Sequence, residues 1–164
     1  MVWEPSIRVT DIRPISPNLL QFFRDHQTET LFWANGNQAG LSDFAVIYNT
    51  GEGLEYQIFP NVQVIRERHS TSYDDGGLTI KYSLDLLYEV YGTNPTDLRI
   101  EAKKRGYALE SMAVNIPADE LIDGIDNITT LTVNEVTLEH GLLQGEEGKW
   151  VIGSTLRLAY EFME

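Results

Sequence analysis

Cysteine is absent from the 164 residues, which removes disulfides, thiolate metal sites, iron–sulfur clusters, thiol nucleophiles and redox switching together. Long apolar runs are missing as well: no stretch approaches the ~20 residues that a bilayer-spanning helix requires. The opening, Met1 to Pro14, has no apolar run preceded by positive charge, so no secretory leader is expected. Basic residues are scarce, with 12 Lys and Arg against 25 Asp and Glu, a formal charge of −13. Such a field repels phosphate backbones and argues against nucleic-acid binding by the domain as a whole. There is no Walker loop, no Gly-x-Gly-x-x-Gly fingerprint and no Gly-x-Ser-x-Gly elbow. Gly51-Glu52-Gly53 lacks the following helix that would aim its amides at a phosphate.

What remains is globular. Hydrophobic residues make up 42% and charged residues 23%, and a chain of this length buries roughly 70% of its unfolded surface as one core. The reading is a single soluble domain, 1–164, with 1–14 as an irregular N-terminal arm. Ser16-Pro17 reads as a helix start, with serine as cap and proline at the first helical position. Leu19, Leu20, Phe22, Phe23, Phe32 and Trp33 extend the apolar face of that helix, and Asn35-Gly36 reads as its end. Phe44 to Tyr48 is a short run of strand formers, and Glu55 to Phe59 leads into Pro60 as another. Val62, Val64 and Arg66 then alternate with Gln63, Ile65 and Glu67. Asp74-Asp75-Gly76-Gly77 carries the residues of a tight hairpin turn.

Leu78, Ile80, Tyr82, Leu84, Leu86, Tyr88 and Val90 recur at every second position, the signature of a long, half-buried strand. Asn94 or Thr93 caps a second helix with Pro95 at its first position, and Pro117 stops it. Ala118 to Asp126 has room for another helical turn. Thr129 to His140 changes phase near Asn134-Glu135, as a bulge would make it do. After a turn at Gln144 to Gly148, Trp150, Ile152, Leu156, Leu158, Tyr160 and Phe162 share one parity. The fold class is therefore α+β: a mainly antiparallel twisted sheet covered on one face by two helices.

Candidate chemistry is thin. His26, His69 and His140 are far apart in sequence, and no metal or cofactor is expected. Asp119, Glu120, Asp123 and Asp126 lack the spacing of a calcium loop and read as an acidic helix start. Asp74-Asp75 is a turn before it is a catalytic pair. Lys103-Lys104-Arg105 reads as a solvated helix face. A carboxylate enzyme using Asp74 or Asp123 is the weakest function class, because no acid, base or nucleophile assignment emerges. A small-molecule-binding module or regulatory partner of unknown ligand, with an apolar pocket lined by Trp33, Tyr82 and Trp150, is a second class.

One order of features is familiar. A helix precedes Phe59-Pro60-Asn61-Val62 and an alternating strand ending in Leu86-Leu87-Tyr88-Glu89-Val90-Tyr91-Gly92. Thr93-Asn94-Pro95-Thr96-Asp97-Leu98 then opens a helix containing Tyr107-Ala108-Leu109-Glu110, and the chain closes on a glycine turn and Ser154 to Phe162. This order, over residues 15–164, resembles the tail-terminator and tail-completion proteins of tailed bacteriophages and prophages, including minor tail and head–tail joining components. The segment from Asn35 to Phe59 is longer than the usual connection in that family. The resemblance implies a small α+β subunit that forms a homo-oligomeric ring, often a hexamer, and docks other tail or head–tail joining proteins without catalysis. It would be found in the cytoplasm of a bacterial host during assembly and afterwards in the virion. Rings need head-to-tail interfaces, for which exposed strand edges are suited. The candidate interface residues are Glu55, Gln57, Gln63, Arg66 and Arg68.

Overall fold

The computed structural model describes residues 2–6, 9–40, 46–48, 59–74, 77–122, 130–139, 143–146 and 148–163. Its two longest strands are the segments with the most regular alternation. β5 (Gly77–Gly92) and β8 (Lys149–Met163) pair antiparallel from Thr79 opposite Met163 to Gly92 opposite Trp150. Side chains two apart point to the same side of a strand. Ile80, Tyr82, Leu84, Leu86 and Tyr88 are accordingly buried together along one face of β5. Leu156, Leu158, Tyr160 and Phe162 of β8 lie buried beside them.

The remaining strands extend this pair to both sides. β4 (Asn61–Asp74) runs antiparallel to β5, and its register Asp74↔Gly77 leaves room for a two-residue loop. β6 (Thr130–Glu139) runs antiparallel to β8. β7 (Leu143–Glu146) forms a hairpin with the start of β8, and β3 (Val46–Tyr48) pairs in parallel with Asn61–Gln63 of β4. The order across the sheet is β3-β4-β5-β8-β6. Every pairing in it is antiparallel except β3 with β4. Gly145 is needed in the β7–β8 hairpin: its φ is +145°, and an added Cβ would lie 2.0 Å from the Lys149 carbonyl oxygen.

Helices close one side of the core. α2 (Pro95–Asn115) starts as the sequence predicts, with the Asn94 side chain accepting from the N–H groups of Thr96 (3.0 Å) and Asp97 (3.2 Å). Leu98, Ala102, Gly106, Leu109, Met112 and Ala113 form its buried face. After Pro117, α3 (Ala118–Leu121) is a single turn, and Asn18 donates from its side chain to the Leu121 carbonyl at 3.0 Å.

Three expectations need correction. α1 spans Ile15–His26 with Pro14 at the N-cap position and no side-chain cap, so Ser16 is inside the helix. Pro17 sits in the first turn, where a missing N–H costs no intrahelical bond. The helix does not continue to Asn35-Gly36. That dipeptide is the turn of a hairpin between β1 (Leu31–Ala34) and β2 (Asn37–Gly40), with φ of 53° and 79°. Two successive positive φ values define the turn that suits the twist of a hairpin, and Asn-Gly is its preferred sequence. Within β1, Phe32 is buried while Leu31 and Trp33 face outward. Thirdly, Arg105 is not on a solvated face. It is buried, and its Nε donates to Glu101 Oε1 at 2.9 Å.

The expected change of phase in β6 is present, as a register shift between Val133 and Glu135. An equivalent shift in β4, between Val64 and Arg66, breaks the alternation read there. Val62 and Val64 are buried, but Arg66 lies across from Asp85 on the opposite face.

Candidate interface surface

The face of the sheet away from the helices is polar and ordered in rows. Arg66 is registered with Asp85, Asp85 with Arg157, and Arg157 with Thr137, so one row crosses four strands. At its centre the Arg157 guanidinium donates to Asp85 through Nε at 2.9 Å and Nη2 at 3.4 Å. The next row runs Arg68, Ser83, Ala159, Glu135. Between these rows and Lys81 lies a depression of about 340 Å³, bordered by Arg68, Ser70, Lys81, Ser83 and Ala159.

The structure separates the five candidate interface residues. Glu55 and Gln57 lie outside the described residues. Gln63 is half-buried, is registered with β3, and donates to Glu89 Oε1 at 3.4 Å, so it does not line an open edge. Arg66 and Arg68 are exposed on the part of β4 that, among the described residues, has no strand on its outer side. Among the described residues, β6 is the last strand at the other end of the sheet.

No metal-binding cluster of His, Asp and Glu occurs among the described residues. His26 stacks on Phe22, ring centroids 4.4 Å apart, and its Nδ1 lies 3.7 Å from Glu29. His69 is exposed on β4, and His140 lies outside the described residues, as do Asp75, Asp123 and Asp126. Asp119 and Glu120 open α3. The three aromatics read as a pocket lining are in three settings. Tyr82 is in the main core, Trp150 packs against the small cluster of Val90, Leu98, Ala102 and Ile152, and Trp33 is exposed.

Three buried tyrosines make long-range hydrogen bonds, two of them from the sheet to α2, a feature that alternation alone did not reveal. Tyr82 Oη donates to Glu67 Oε1 (3.0 Å), Tyr88 Oη to the Ala102 carbonyl (3.1 Å) and Tyr160 Oη to the Ala113 carbonyl (2.8 Å). Burial pushes all three phenols above the ordinary tyrosine value, and the Glu67 carboxylate adds to the effect at Tyr82. They stay protonated and serve as donors, not bases. The Ala113 bond has a particular logic. The helical partner of that carbonyl would be the N–H of residue 117, which is proline and has none.

The outer side of α2 was also missed. Ile100, Tyr107 and Val114 are exposed at intervals of seven, a spacing that keeps residues on one helix face. The sequence displays this stripe, but the more numerous core-facing positions of the same helix mask it. Tyr107 lies 6.5 Å from the Phe32 ring, and Ser111 Oγ donates to the Leu31 carbonyl at 3.4 Å. Leu31 therefore lies beside the same stretch of α2, next to Ser111, Met112 and Asn115.

The architecture defines an α+β class, a mainly antiparallel sheet with helices against one face. No protein-family model and no curated protein matches this chain. No helix among the described residues is long and apolar enough to cross a membrane.

Proposed function

We propose that the chain is a non-enzymatic assembly subunit of a phage or prophage tail, which self-associates head to tail and docks a neighbouring virion protein. Its place would be the cytoplasm of a bacterial host during assembly, then the virion. One observation carries the reading: the sheet has two long borders whose directions match. β4, β5, β8 and β6 are successively antiparallel, so β4 and β6 run in opposite senses. A second copy placed in the same orientation sets its β4 antiparallel to the first copy's β6, and the sheet continues without inversion.

Charge supports the same pairing. Arg66 and Arg68 mark one border, whereas the β6 sequence carries Glu135 and Glu139, registered with Ala159 and Thr155. Opposite charges at adjacent strand positions favour pairing, and like charges oppose it. Light scattering across a concentration series tests the proposal. A discrete assembly of several copies is the expected result, and a strict monomer at high concentration refutes it.

A second reading, a small-molecule module, draws on the depression of about 340 Å³ beside Arg68 and Lys81. A small anion is the ligand class that suits those two cations. A thermal-shift screen that found a specific stabilising anion would favour it.

A further inference from the structure

We propose that the N-terminal arm of one copy lies along the outer side of α2 in a neighbouring copy, with Trp3 seated in the groove between α1 and α2. This rests on the self-association reading only in requiring a second copy of the chain.

The observation is a double exposure. Trp3 is 83% exposed and Val9 72% exposed in the arm, while Ile100, Tyr107 and Val114 are 63%, 46% and 41% exposed along α2. Arm and stripe are in the same chain, and neither covers the other. Apolar surface on the arm and along one helix face is the kind that two copies can bury against each other.

The dimensions agree. An extended chain advances ~3.3 Å per residue, so Trp3 to Val9 spans about 20 Å. A helix rises 1.5 Å per residue, which puts Ile100 and Val114 about 21 Å apart. Where the stripe ends, a groove of about 270 Å³ opens, with Phe22, Leu31 and Met112 as its apolar lining and Glu29 and Asn115 also bordering it. A cavity of about 150 Å³ accepts benzene, so this groove has room for an indole. The Glu29 carboxylate and the Asn115 amide oxygen are acceptors for the indole N–H, the polar handle that a seated tryptophan brings.

Charge selects these two surfaces. The chain carries −13 overall, and two copies repel. The arm, Met1 to Pro14, holds two acidic and two basic residues, and α2 holds four basic against three acidic. They are parts of an acidic molecule that meet without like-charge cost. Asp11 and Arg13 neutralise each other within the arm, Arg13 Nη2 lying 2.8 Å from Asp11 Oδ2, and that bonding holds the Asp11 carboxyl down at about 2.

The absence of native cysteine makes the test direct. Chains bearing Val2→Cys alone and Asn115→Cys alone are mixed and oxidised, and a mixed disulfide dimer joining residues 2 and 115 is expected. Trp3→Ala, with wild-type circular dichroism, weakens association by sedimentation equilibrium about 30-fold, the loss of one large aromatic anchor. A disulfide that forms only within a doubly substituted chain overturns the proposal, because the arm then covers its own helix. So does an assembled protein, by light scattering, that gives no mixed disulfide; that result leaves the self-association reading standing. A strict monomer ends both.

Discussion

Tyr160 and Tyr88 perform the same act, donating to a backbone carbonyl of α2, yet their removal has different consequences. The Ala102 carbonyl keeps its helical partner four residues on when Tyr88→Phe removes the phenol, and what is left without its bond is the buried Ser154 hydroxyl. The Ala113 carbonyl has Pro117 in that place and is buried. Tyr160→Phe strands it, at a cost of about 1–3 kcal/mol. Urea unfolding should place Tyr160→Phe below the unsubstituted protein in midpoint by that amount, with an equal slope. Alkaline pH probes the same groups. Below the ordinary tyrosine value of 10.0 the phenols are protonated whether the chain is folded or not, and their contribution is complete. Above it the unfolded chain releases protons that the folded chain retains, so stability falls as pH rises. Thermal melts from pH 9 upward should show this decline, and Tyr160→Phe should make it shallower.

At the scale of the element, helix and strand starts have local causes that substitution can isolate. Asn94→Ala removes the acceptor for two N–H groups of α2 and should lower stability by about 1 kcal/mol, read as a fall in melting temperature. β5, β8 and the start of α2 were legible because one local rule governs each: a period of two, or a cap followed by proline. The bulge in β6 was legible for the same reason, since apolar residues fall on both sides of Asn134. The bulge in β4 was not, because Arg66, Glu67 and Arg68 are polar on both faces and carry no phase. Asn35-Gly36 satisfied two rules at once, helix end and hairpin turn. Burial of Phe32 between two outward-facing neighbours, a tertiary fact, decided for the hairpin. Arg105 misled because a run of three basic residues looks solvated until Glu101, one turn earlier, is seen to accept its Nε.

For the whole molecule, sequence periodicity conveyed the architecture and only part of the candidate surface. Arg66 and Arg68 were recognisable as border residues; the matching of their border to β6 depends on strand directions, which no window of sequence contains. If the two borders meet, the double substitution Arg66→Glu, Arg68→Glu should weaken assembly at least tenfold at low salt, measured by light scattering. The loss should shrink as ionic strength rises, because salt screens the like-charge contact that the variant creates at the border.

The two register shifts fall in β4 and β6, the outer members of the four long strands, while β5 and β8 match residue for residue. An inserted residue coils its strand more tightly than its neighbours. Any ribbon extended through these borders is thus bent at every joint, and bending in a constant sense brings a growing chain of subunits back towards its own beginning.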